Sequence, residues 1–186
     1  GPVWLPWGTR LATGPALLDF AGEALYFDEP SLPVVARLLA AAQSASVPDL
    51  ARARLEEALR LAPDDLTVIV ALYRFFYFQH DYAAALPVAE RAMQAAGRRL
   101  NIPGDWRVLD VADIERSGRS SMAMTRFLLW ALKGEAYLLM RLGRFGEALA
   151  RLEKLTALDG ADRLGTAALL QIADAPTIDM ASLMLS

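Results

Sequence analysis

The stretch from Leu66 to Gly97 constrains this chain more than any other, because it carries two helical hydrophobic patterns on either side of a short polar turn. In the first, Ile69, Leu72, Tyr73 and Phe76 recur at helical spacing. In the second, Ala85, Ala89, Ala92 and Met93 form the matching stripe, with small side chains that let two helices approach closely. Gln79-His80-Asp81 supplies the turn. Neither helix can bury its apolar face unaided, so further hairpins must pack on this one.

Composition points the same way. The 186 residues are 55% apolar but only 9% aromatic, so Ala and Leu make up the bulk of the core. Richness in Ala, Leu, Arg and Glu favours helices, and no β-branched run is long enough to suggest a sheet. The length fits one domain with a real core. A net charge of −3 argues against nucleic acid as an electrostatic partner. Cysteine is absent, which excludes disulfides, thiolate nucleophiles and Cys-based zinc sites. A single histidine, His80, argues against a His-rich metal site or a Ser-His-Asp triad, and no cofactor or metal is expected. Lys133 and Lys154 are the only lysines, an Arg bias that suits a GC-rich bacterial genome. The apolar runs Leu66 to Phe78 and Phe127 to Met140 are too short or carry Arg74, Lys133 and Glu135, so no membrane span is expected. No signal peptide is visible, Gly1-Pro2 reads as the remnant of a cleaved tag, and a soluble cytoplasmic protein is the expectation.

Taken in order, residues 3–14 read as an irregular arm whose Trp4 and Trp7 are either pinned against the body or form an aromatic docking arm. A helix over 15–27 stops at Asp28-Glu29-Pro30. The next runs from Leu32 to Ala45, breaks at Ser46-Val47-Pro48-Asp49, and gives way to a third from Leu50 to Leu61. Ala62-Pro63-Asp64-Asp65 ends that helix and places acidic residues to cap its successor. Residues 98–126 break the pattern. Asp105 is a cap for a short helix from Trp106 to Arg116, Ser117-Gly118-Arg119-Ser120 a polar turn, and a long helix follows from about Ser121 to Leu142. A last helix over 161–173 leads to an apolar tail with Met180, Leu183, Met184 and Leu185. Pro87 should kink the helix that holds it.

Several of these features share a period. Pro63 follows Ala51, Leu55 and Ala58; a new unit starts at Leu66, 34 residues after Leu32; and Leu72, Phe76, Ala85 and Ala92 follow in it. Leu142-Gly143-Arg144-Phe145-Gly146-Glu147-Ala148, with Leu152 and Leu155 beyond, opens a third unit. The chain thereby resembles the tetratricopeptide repeat (TPR) family, whose helix-turn-helix units recur every 34 residues. The resemblance covers about 32–97 and 129–160, and departs from the family at Tyr73, where glycine is preferred, and at Gly97, where proline is. It implies an all-α, right-handed superhelix of about three TPR-like helical hairpins with capping helices at both ends. Within a single domain, 1–186, it divides the chain into an N-terminal arm and helix (3–31), two repeats (32–97), an insertion (98–126), a third repeat (127–160) and a capping helix with tail (161–186).

In such superhelices the first helix of each hairpin lines a concave groove. The resemblance places Arg37, Arg74, Tyr77, Phe78, Trp130, Lys133, Tyr137 and Arg141 there. Cations interleaved with rings suit an acidic or aromatic-containing peptide; the alternative is that the rings are core and the cations pair with neighbouring carboxylates. The family's carboxylate clamp does not carry over, because Ala36 and Ala40 stand where it needs lysine and asparagine. The expected function is a non-catalytic adaptor, or an assembly or maturation chaperone, holding a peptide or subunit of a larger complex. A two-fold contact through arm and tail is left open. The alternative function is a small enzyme or ligand-sensing domain built on the acidic insertion. There Asp105, Asp110, Asp113 and Glu115 lie among Arg98, Arg99, Arg107, Arg116 and Arg119, so mutual neutralisation is expected.

Overall fold

The structure, a computed structural model, describes residues 30–162 and 164–173. The expected N-terminal arm and first helix, and the apolar tail, lie outside the described residues. Among the described residues all regular structure is helical: α1 (Pro33–Gln43), α2 (Pro48–Leu61), α3 (Leu66–Phe78), α4 (Tyr82–Leu100), α5 (Val111–Ser120), α6 (Met122–Arg141) and α7 (Phe145–Leu158), with a further helical stretch over 166–173.

Local chemistry sets most of the boundaries. α1 and α2 each start on a proline, where a missing N–H removes no helical bond. The Asp65 carboxylate accepts from the Thr67 and Val68 amides (2.9 and 3.3 Å), Asp81 from Ala84 (3.1 Å), and the Ser121 hydroxyl from Met124 (3.2 Å), which fixes the starts of α3, α4 and α6. His80 (φ 57°) and Gly143 (φ 74°) take the left-handed conformation in the turns that close two of the hairpins. α4 runs through Pro87, whose side is exposed, without ending there.

Four expectations about element boundaries are corrected. The helix placed over Trp106 to Arg116 forms instead over α5. Asp110 and Asp113 cap it reciprocally (2.9 and 3.1 Å), while the Asp105 carboxylate is engaged by the Arg107 amide at 3.0 Å and guanidinium at 3.2 Å. The polar turn expected at 117–120 is accordingly the last turn of α5. Gly97 does not end α4, which continues to Leu100. A Cβ on Gly97 would lie 2.9 Å from the Gly104 Cα, so the glycine serves the close approach of the following loop. The closing helix begins at 166 rather than 161, because Asp159 and Asp162 accept from the Leu164 and Ala167 amides (2.9 and 3.2 Å) in an irregular lead-in.

α1 with α2, α3 with α4, and α6 with α7 form antiparallel hairpins; α2 also packs on α3 and α4 on α6, while α5 lies against α6 and α7. At the α3–α4 and α4–α6 contacts, fully buried Ala85, Ala89, Ala92 and Ala96 keep the helices close, and Tyr73, Phe127, Leu128, Leu132, Leu139 and Leu152 fill the layers around them. Each fully buried Leu or Phe contributes about 1.5–3 kcal/mol relative to exposure. No helix among the described residues is long and apolar enough to cross a membrane.

Candidate partner-binding face

Trp130, Lys133, Tyr137 and Arg141 recur at three- and four-residue spacing and so fall on one stripe of α6. Arg74, Tyr77 and Phe78 occupy the last turns of α3. The two helices meet through Tyr77 and Tyr137, whose hydroxyls are 3.5 Å apart and whose ring centroids are 6.1 Å apart. The Arg141 guanidinium lies 4.7 Å from the Tyr82 ring centroid and donates to the Tyr137 hydroxyl at 3.4 Å. Tyr82 also sets its ring edge-on to Tyr77 at 5.9 Å, with its hydroxyl 2.9 Å from His80 Nδ1. Beneath them Tyr73 stacks on Tyr77 at 6.3 Å, and its hydroxyl is buried with no partner among the described residues. Four of the five tyrosines of the chain thus gather at one place.

Electrostatically this face is unfinished. Arg141 has phenols and a ring for neighbours but no carboxylate among the described residues, and its hydrogen bond to Tyr137 raises its pKa. Arg74, one turn before Tyr77, is half-buried; its Nε is wholly buried and has no partner among the described residues. Burial lowers its pKa, with no opposing charge to offset the effect. Burial likewise pushes the Tyr73 and Tyr77 hydroxyls above the ordinary phenol range, so both stay neutral donors. Arg141 and several phenols around an aromatic floor, with Arg74 one turn before Tyr77, can donate to a carboxylate while the rings cover an apolar side chain.

The other residues singled out from the sequence sit elsewhere. Phe78 is 8% exposed and packs edge-on beneath Tyr77 at 5.4 Å, so it belongs to the core. Lys133 is 6% exposed: its ammonium donates to the Leu164 carbonyl and lies 4.5 Å from the Trp130 ring centroid. The chain around Leu164 therefore crosses the α6 stripe at Lys133 and divides it, leaving half-buried Trp130 on a separate cleft. Arg37 is exposed on α1, and no hydrogen bond, ion pair or ring contact joins it to the tyrosines. Sequence reasoning missed Tyr82 and Tyr73 as members of the face. The three-residue turn was the available signal, since it must set the first residue of α4 beside the last turn of α3.

On the far side of α6, Glu135 is 2% exposed and accepts from Arg151 Nε at 2.8 Å. Glu90 stands 3.9 Å from the same guanidinium, and Trp106 from the insertion places its ring centroid 5.1 Å from it. Burial, helped by the charge of Glu90 and opposed by Arg151, raises the Glu135 pKa to about 7. These residues tie α4, α6, α7 and the insertion together. Within the insertion Arg107 pairs with Asp105 (3.2 Å) and Arg116 with Asp113 (2.8 Å).

No family model matches this chain, and no solved structure matches it. One relative is 45% identical over 156 residues, covering 84% of this chain and 87% of its own length. It is an uncharacterized 19.8 kDa protein in the nifW 5′ region of Azotobacter chroococcum mcd 1. An identity of that size across most of both sequences means that the chain belongs to the same family as this Azotobacter protein.

Proposed function

We propose that this chain is a non-catalytic adaptor or assembly chaperone of the tetratricopeptide type, acting in the cytoplasm. It holds an acidic, aromatic-containing segment of a partner protein against Arg74, Tyr77, Tyr137 and Arg141. The observation that carries the reading is Arg74: the side chain is only half-buried, yet its Nε has no acceptor among the described residues. Leaving a partly desolvated guanidinium unpaired costs about 1–3 kcal/mol, which a partner's carboxylate arriving at its exposed part would offset. The succession of packed hairpins supports a superhelical arrangement with this face on its concave side. The tyrosines add rigid, amphipathic contact area of the kind enriched where proteins meet.

The relative's position in the nifW 5′ region makes the nifW product the first partner to test. In a pull-down with that protein and with whole lysate as baits, Arg74→Glu together with Arg141→Glu should abolish capture while leaving the circular dichroism spectrum unchanged. Capture that survives both reversals removes this face as the site. Because both cations act through charge, binding to the unaltered chain should also weaken as salt rises from about 0.05 to 0.5 M.

A further inference from the structure

The cleft that Trp130 borders lies beyond the Lys133–Leu164 contact and takes no part in the tyrosine face. We propose that it binds a small amphiphilic anion, a carboxylate carried on a medium-length acyl or aryl body. Its volume is about 560 Å³. Ile114 of α5, Met122, Leu129 and Trp130 of α6, and Leu158 and Leu164 beyond them give it an apolar floor. A cleft of that size between helices, apolar with a few polar groups at its mouth, is how small-ligand sites are generally built.

Charge at the mouth selects the ligand class. Arg119 and Arg126 both line the cleft, and neither has a carboxylate partner among the described residues, whereas Arg107 and Arg116 of the same insertion are paired. The rim also carries Glu115 and Asp159, so its formal charge is balanced, but neither carboxylate lies within ion-pair distance of Arg119 or Arg126, and Asp159 accepts from the Leu164 amide at 2.9 Å. A carboxylate head supplies the partner that these two guanidiniums lack at ion-pair distance, and an apolar body covers a floor on which Met122 is otherwise 56% exposed.

Gly118 is the second observation. It stands inside a ten-residue helix, where glycine costs about 1 kcal/mol relative to alanine. Nothing in the packing demands it: a Cβ there would meet only the Met122 methyl, at 3.7 Å. What the missing side chain does is leave the cleft open, because Gly118 is part of its wall.

Calorimetric titration of the full chain with octanoate, octanol and octylammonium tests the proposal. Octanoate should bind saturably, octanol about tenfold more weakly, and octylammonium more weakly still. Gly118→Leu should remove octanoate binding at an unchanged or higher melting temperature. Arg119→Gln with Arg126→Gln should erase the preference for octanoate over octanol, and this pair of exposed sites decides the matter if Gly118→Leu proves unstable. Absence of saturable octanoate binding overturns the proposal, as does equal binding of octanol or octanoate binding indifferent to both variants. A change in native mass on Gly118→Leu would assign the cleft to a second copy of the chain and would overturn it too.

Discussion

Arg74 and Arg151 are both withdrawn from water, and the protein surrounds them in opposite ways. Arg151, 7% exposed, has the Glu135 carboxylate at 2.8 Å, the Glu147 carbonyl at 3.2 Å and Glu90 at 3.9 Å. Half-buried Arg74 has no hydrogen bond or ion pair among the described residues, and one of its nitrogens is buried there without an acceptor. Desolvating a guanidinium without pairing it is unfavourable, so a fold that needed a cation only for its architecture would have supplied the counter-charge, as it does for Arg151. On the proposed function, the difference separates a charge completed from within the chain from one left to be completed from outside it.

The sharpest way to break this comparison is at its closed end. Arg151→Ala strips Glu135 of its partner in a site that is 2% exposed, and should destabilise the fold by about 3–5 kcal/mol in urea denaturation. A loss below about 1 kcal/mol would put the pair in the class of surface bridges and dissolve the contrast. Glu135 adds a pH signature. Its pKa is raised from 4.5 to about 7, so between those values the folded chain holds a proton that the unfolded chain has released. Stability therefore falls as pH rises through that window and levels off above it. Glu135→Gln should flatten that slope, and a slope that persists would have to come from another group.

A smaller effect tests how firmly the insertion is held on the closed side. Gly97→Ala sets a methyl 2.9 Å from the Gly104 Cα and 3.1 Å from the Ile102 carbonyl oxygen, backbone atoms that cannot swing aside. A loss of about 1–3 kcal/mol in thermal denaturation is expected, with Trp106 fluorescence changing as the loop lifts. Unchanged stability would mean that the loop is not clamped to α4.

These positions also mark what could be read from the sequence. The hairpin of α3 and α4 and the bounds of α6 were legible because Asp65, Asp81 and Ser121 act on amides two or three residues away. The insertion was not, since Asp105 and Asp110 are both competent caps and only the Asp113 reciprocal bond decides between them. Gly97 reads as the end of a repeat, but its reason is a loop seven positions on. The Tyr77–Tyr137 contact spans sixty positions, and the burial of Lys133 depends on a carbonyl thirty-one positions away. Helical periodicity places such residues on a face without saying what crosses that face.

The smallest expected effect belongs to Arg74 and carries the opposite sign to Arg151. Arg74→Met keeps the apolar stem and removes the uncompensated charge, so the fold should gain about 1 kcal/mol in urea denaturation at an unchanged m-value. The same substitution should lose partner capture, because methionine can neither donate to a carboxylate nor attract one. A gain in stability with a loss of binding is what a residue kept for its partner produces, since selection then tolerates a local penalty that folding alone would remove. If Arg74→Met destabilises the chain by more than about 1 kcal/mol, the guanidinium is completing something inside the fold, as Arg151 does, and the two arginines no longer differ in kind.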